Sequence, residues 1–233
     1  MLASLSHPDL PKYLEHFEEG GALYLVMERV AGVSLVRYRK SGGTFRTDDV
    51  VRFLEQASLV LDYLHGRAPP IIHRDLKPGN VIRRPDGSFA FVDFGAVRDR
   101  LRPEGGSTVV GTFGYMAPEQ FQGRAVPASD VYAIGATALW MLTGVEPEDL
   151  PHQGLAIDVS AALGARTRPA LVAVLRAMLD PDPDRRATRI APLLVDLAPR
   201  RPAPPPARRS SAGSPRFPRG CGVRCTCGSP ACC

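Results

Sequence analysis

The chain reads as an α+β domain, and three observations point that way. Strand-like segments come in two adjacent pairs instead of singly between helices, which excludes a doubly wound parallel sheet. Apolar residues recur at helical spacing over 50–64, and a nearly all-apolar stretch fills 131–142. Hydrophobic residues make up 44% of the 233 positions, enough to bury a core and to exclude wholesale disorder.

Taken in order, Tyr13 to Glu18 and Leu23 to Glu28 read as strands, with Glu19-Gly20-Gly21-Ala22 as the hairpin turn between them. Thr47 or Asp48 would cap a helix whose buried face is Val50, Phe53, Leu54, Ala57, Leu61 and Leu64, ending near His65-Gly66. Val81 to Arg84 and Ser88 to Val92 form a second hairpin around Pro85-Asp86-Gly87. A glycine-rich stretch, 105–114, has loop composition. Ser129 or Asp130 would open a helix running to Thr143 and stopped by Gly144, apolar on nearly every face and so central. Further helices are expected over Ala170 to Leu179 and Thr188 to Leu197. Tyr132, Trp140 and Met141 are expected in the core.

Charge and cysteine place a boundary near residue 198. Residues 199–233 carry seven arginines and no acid, leaving 22 basic against 24 acidic residues before them. The net charge of +5 is thus a property of the tail, and the body gives no reason to invoke a polyanion or a specific nucleic-acid partner. All five cysteines lie within 221–233, and the cysteine-free body suits a cytoplasmic location. The tail's Pro, Arg, Ser and Gly predict disorder. The longest apolar run is twelve residues, too short to span a bilayer.

Chemistry concentrates in two places. His73-Arg74-Asp75-Leu76-Lys77-Pro78-Gly79-Asn80 lies between the first long helix and the second hairpin, and Asp93-Phe94-Gly95 follows that hairpin. Together they offer a base, a cation, and an amide and a carboxylate oxygen suited to a hard metal ion. Phosphoryl transfer needs such positioning and charge neutralisation, with little covalent chemistry from the protein.

HRDLKPGN, followed thirteen residues on by DFG, resembles the catalytic loop and metal-binding motif of the eukaryotic-type protein kinases. Met116-Ala117-Pro118-Glu119 resembles the motif that closes their activation segment, and Gly111 to Tyr115 the substrate loop before it. Ser129-Asp130-Val131-Tyr132 is similar to the start of their central helix, and Asp182-Pro183 through Arg186 to a late motif whose arginine pairs with Glu119. The wording of these segments resembles the bacterial branch.

The resemblance implies a kinase-like fold, with 1–30 as the last part of an N-lobe, 31–198 as a mainly helical C-lobe and 199–233 as the tail. It implies a serine/threonine kinase using ATP and Mg2+ on protein substrates. Asp75 would take the hydroxyl proton and Lys77 neutralise the moving phosphoryl group. Thr112 would bridge these two, the serine/threonine-type pattern. Asn80 and Asp93 would hold magnesium, while Met27, Glu28 and Val30 would flank the adenine. Arg74 would receive a phosphate from Ser107 or Thr108, Asp130 would brace the catalytic loop, and His73 would pack within the domain. The resemblance also places a glycine-rich loop, a strand lysine and a helix glutamate ahead of Met1, so the chain reads as N-terminally truncated. Losing one positioned electrostatic group costs about 10²–10³ in rate. A non-catalytic binding module and a small-molecule phosphotransferase therefore stand beside the kinase reading.

Overall fold

The computed structural model describes residues 4–93, 112–165 and 167–197, all within the unit Met1–Ala198. Ser107, Thr108, Phe94, Gly95 and the basic, cysteine-rich tail lie outside the described residues.

The architecture is α+β. Strands β1 (Tyr13–Glu19) and β2 (Ala22–Met27) pair antiparallel, Glu19 opposite Ala22 and Tyr13 opposite Met27. Their two-residue turn is Gly20-Gly21, with φ of +59° and +76°, a left-handed pair that any Cβ would strain. Phe17 and Tyr24 face each other across this hairpin, rings stacked at 5.1 Å and both exposed.

Two short elements that the sequence did not announce follow: β3 (Val33–Ser34) and helix α1 (Leu35–Lys40), capped by Ser34 Oγ, which accepts from the Arg37 amide. β3 joins β4 (Val81–Arg83) and β5 (Phe89–Phe91) in an antiparallel sheet of order β3-β4-β5. Helix α2 (Thr47–His65) buries the expected apolar face. Phe53 at its middle meets Phe89 edge-on at 5.5 Å and Phe91 at 5.9 Å, which seats the second hairpin on the helix. Burying a side chain of that size contributes about 1.5–3 kcal/mol. The cap differs from expectation. Arg46 is the N-cap residue, and its amide donates to the Asp49 carboxylate at 2.9 Å, so the acid serves from inside the first turn.

Helix α3 (Pro127–Thr143) begins two residues earlier than expected because Pro127 suits a first helical position. It is buried from Ala128 to Met141. α2 packs on one side of it and α5 (Pro169–Met178) on another, with Leu171, Val174, Leu175 and Met178 turned inward. At Gly135 a Cβ would lie 3.0 Å from the Met178 Cβ, so the approach of α5 needs the glycine. The C-terminus of α3 is held by Arg39, whose Nη2 donates to the carbonyls of Trp140 (3.2 Å) and Met141 (2.7 Å) while its guanidinium lies over the Trp140 ring.

Beyond α3 come a small hairpin, β6 (His152–Gln153) with β7 (Ala156–Ile157), and the short helix α4 (Val159–Leu163) capped by Asp158. The helix expected over Thr188 to Leu197 is instead one 3-10 turn, Ala191–Leu194, because Pro192 cannot supply an interior amide. The segment before β1 belongs to the core: Leu5 and Leu10 are buried. Arg84 fastens it, Nη1 donating to Asp9 Oδ1 at 2.8 Å and Nη2 to the Pro8 carbonyl at 2.7 Å.

Candidate active site

The loop that links α2 to β4 carries most of the candidate residues, and it is braced from below. Asp130, in the first turn of α3 and 1% exposed, accepts the His73 amide on Oδ2 (2.8 Å) and the Arg74 amide on Oδ1 (2.9 Å). A buried carboxylate needs such donors to offset its desolvation. A third comes from His65, the last residue of α2, whose Nε2 lies 2.9 Å from Asp130 Oδ2. Arg74 itself has φ +70°, an unfavourable region for a residue with a long side chain.

The residues above this brace converge. Lys77 Nζ donates to Asp75 Oδ2 at 3.0 Å and to Thr112 Oγ1 at 2.8 Å, tying the loop to a segment 35 positions away. Thr112 Oγ1 also faces Asp75 Oδ1 at 3.4 Å. Asn80 closes the loop through a 3-10 turn, Pro78–Asn80, and its Nδ2 donates to both the carbonyl (2.8 Å) and Oδ2 (2.9 Å) of Asp75. Asp75 is 4% exposed, while Lys77 is half-buried, its side chain 26% exposed.

Asp93 leaves β5 beside this cluster, because the Val92 amide donates to the Asn80 carbonyl at 2.9 Å. It is half-buried with φ +62°, a second left-handed non-glycine residue at the site. Burial holds the His73 imidazole below its ordinary pKa, although the charges of Asp130, Asp75 and Asp93 all pull the other way. His73 is fully buried and belongs to the packing.

The segment after Thr112 is anchored separately. Glu119 and Arg186 form a two-point ion pair with neither side chain more than 8% exposed. Ser129 Oγ donates to Glu119 Oε1 at 2.6 Å, and Arg186 also donates to the carbonyls of Asp180, Pro181 and Ala128. Burial alone would raise the Glu119 pKa, but its bonds from Arg186 and Ser129 outweigh that and hold the carboxyl below the usual glutamate range. Beside this anchor opens a groove of about 470 Å³ with Phe113, Met116, Phe121, Tyr132 and Leu155 among its walls.

Asp75, Lys77, Asn80, Thr112 and the Asp130 brace are thus brought together, and Glu119 meets Arg186. Met27 and Val30 are half-buried at the end of β2 and just beyond it; Glu28 is exposed, its amide donating to the Lys12 carbonyl at 2.7 Å. Among the described residues these three share no hydrogen bond with the Asp75 cluster. Two contributors escaped the sequence reading. His65 passed as a helix end, and Gln120, whose Nε2 donates to the Arg74 carbonyl at 3.1 Å, passed as the residue after a motif. The only sequence signal for either is its position, one ending a helix and the other following Glu119.

No cluster of three or more His, Cys, Asp or Glu suited to a metal occurs among the described residues, and no helix there is long and apolar enough to cross a membrane. The donor set at the site does fit one hard cation. With Nδ2 of Asn80 committed to Asp75, its Oδ1 is left as an acceptor, and Asp93 follows Val92, whose amide bonds the Asn80 carbonyl. An amide oxygen and a carboxylate are donor types that a hard cation takes.

A mainly helical body, a braced HRD loop ending in Asn80 and a carboxylate, Asp93, after the second hairpin are the features of the protein-kinase fold. Residues 1–195 match the protein kinase domain family, and the chain belongs to it. Among its relatives, serine/threonine-protein kinase B of Synechocystis is 40% identical over 156 residues, covering 62% of this chain and 27% of that protein. Serine/threonine-protein kinase C of the same organism is 36% identical over 179 residues, 73% of this chain and 33% of its own length. PknA of Nostoc is 37% identical over 199 residues, 81% and 35% respectively. The chain spans about a third of the length of these curated relatives. The likeness places it with the bacterial serine/threonine members of a family that uses ATP and Mg2+ and acts on proteins.

Proposed function

We propose that this chain transfers the γ-phosphoryl group of ATP to a serine or threonine hydroxyl of a protein, in the cytoplasm. One observation carries the reading: Lys77 Nζ lies between Asp75 and Thr112, so a carboxylate, a cation and a hydroxyl from distant segments share one spot.

In this reading the Asp75 carboxylate accepts the proton of the acceptor hydroxyl. The hydroxyl oxygen bonds to the γ-phosphorus, the bond from that phosphorus to the β,γ-bridging oxygen breaks, and ADP departs. Asn80, by donating to Asp75 Oδ2, orients the carboxylate, leaving Oδ1 toward Thr112 and the acceptor. Lys77 places positive charge where the transferred group becomes most anionic. Asn80 and Asp93 would hold magnesium, which when bound neutralises phosphate charge. Met27, Glu28 and Val30 would line the adenine. Glu119, Arg186 and Asp130 serve as anchors. We assign Arg74 to receive a phosphate on Ser107 or Thr108. The apolar groove beside Thr112 favours a polypeptide acceptor over a small molecule, since it can seat a side chain next to the reacting one.

The test is transfer of labelled phosphate from Mg-ATP to a generic basic protein by the chain and by Asp75→Asn. Label that depends on Asp75 is the expected result. Label entering only an amino alcohol or aminoglycoside, or equal label with Asp75→Asn, overturns the proposal.

A further inference from the structure

The residue just before Asp75 is held in an unfavourable conformation from both of its ends, by side chains with no part in the chemistry described above. Arg74 has φ +70°. For a non-glycine residue such a conformation costs about 1–3 kcal/mol and persists only where the surroundings over-determine it. On its amino side the amide is fixed by Asp130 Oδ1 at 2.9 Å. On its carbonyl side the oxygen is fixed by Gln120 Nε2 at 3.1 Å. Gln120 is 5% exposed and sits in the 3-10 turn Pro118–Gln122, so the donor arrives from the end of the segment that also carries Thr112.

Asp130 takes the two amides on different oxygens, the Arg74 amide on Oδ1 and the His73 amide on Oδ2, and Oδ2 takes one bond more. His65 supplies that bond at 2.9 Å, from a ring 13% exposed at the end of α2. In either protonation state that offers a hydrogen on Nε2, the imidazole donates to the carboxylate. α2, α3 and the Pro118–Gln122 turn therefore meet on one peptide unit.

We propose that Gln120 and His65 are positioning residues that hold Arg74 left-handed from its two ends and so aim the Asp75 carboxylate. Gln120 acts directly on the Arg74 carbonyl, and His65 acts through Asp130. Because Gln120 and Thr112 ride on one segment, seating that segment and aiming Asp75 are the same event. The catalytic consequence rests on the phosphotransfer reading; the conformational one does not.

The test uses the full chain with Gln120→Met, which keeps length and loses the donor, and with His65→Leu and His65→Gln, the second of which keeps a donor near the Nε2 position. Misplacing a reacting group by a fraction of an ångström to 1 Å costs up to about 100-fold. Gln120→Met and His65→Leu are thus expected to lower kcat about 10- to 100-fold with KM for ATP within about twofold, and His65→Gln to recover most of the loss. Loss confined to KM, or equal loss in His65→Gln and His65→Leu, overturns the proposal. A second readout needs no turnover. Hydrogen exchange of the amides over 73–76 is expected to speed up in His65→Leu and Gln120→Met and to stay slow in His65→Gln. Unchanged exchange in all three overturns the proposal. If the wild-type chain transfers no phosphate yet shows this exchange pattern, the phosphotransfer reading fails and the positioning role stands.

Discussion

Arg186 grips Glu119 with both ends of its guanidinium, Nη1 2.5 Å from Oε1 and Nη2 3.0 Å from Oε2, in a buried site. Three backbone carbonyls and the Ser129 hydroxyl complete the shell, and the Tyr132 ring lies 5.0 Å from the guanidinium carbon. Removing one partner strands the other charge. Arg186→Met is expected to destabilise the fold by about 3–5 kcal/mol, whereas the paired change Arg186→Met with Glu119→Leu costs far less. Chemical denaturation of the single and double variants measures the difference.

Lys77 differs, because its side chain is partly exposed and its loss leaves no closed cavity. Lys77→Ala is expected to lower kcat about 10²–10³-fold with the melting temperature nearly unchanged. Thr112→Val should lower kcat as well, with Thr112→Ser close to wild type. Steady-state kinetics beside thermal melts separates this loss from unfolding.

Gly135 sets two effects in opposition. Alanine gains about 0.5–1 kcal/mol of helix preference over glycine. Its Cβ would meet the Met178 Cβ at 3.0 Å and Leu179 Cγ at 3.2 Å, and overpacking a core costs about 1–3 kcal/mol. Overpacking prevails, and Gly135→Ala is expected to melt lower than wild type.

His73 gives an acid limb. Its folded pKa lies below the unfolded value near 6.5, chiefly through burial, so the unfolded chain binds the proton first. Stability contributed by keeping this ring neutral is full above the unfolded pKa and is lost as pH falls from there through the folded one. Melting temperature is expected to drop from pH 7.5 to 5.5, and His73→Phe to flatten that drop. His7, also lowered by burial, adds a slope of the same sign.

The magnesium assignment makes its own prediction. Asp93→Asn and Asn80→Ala are expected to raise the Mg2+ concentration needed for transfer, read from activity against added metal at fixed ATP, while leaving the fold intact.

The long elements were legible because each carries its own periodic pattern. α2 and α3 bury a stripe or a whole surface, and Gly-Gly or Pro-Asp-Gly marks each of the first two hairpins. α1 was not, since six residues with three basic side chains show no period. The Thr188–Leu197 expectation gave leucine spacing more weight than Pro192, and the proline prevailed. At the site, Asp75, Lys77 and Asn80 were legible because they are neighbours in sequence whose residue types suit one chemistry. His65 and Gln120 were hidden for the opposite reason. Each meets its partner only across 65 and 46 positions of chain, and neither residue type signals a role by itself.

Helix α3 sets the angular phase of three separate fastenings. Ser129 reaches Glu119, Asp130 reaches the 73–74 amides, and the carbonyls of Trp140 and Met141 receive Arg39. Adding or deleting one codon within 127–143 would turn everything beyond it by about 100°, and no compensating slide is open to a rod buried on all sides. The gene should therefore tolerate length changes at the exposed Pro85-Asp86 turn and none along α3, so that variation among descendants of this sequence is written in substitutions there and in insertions elsewhere.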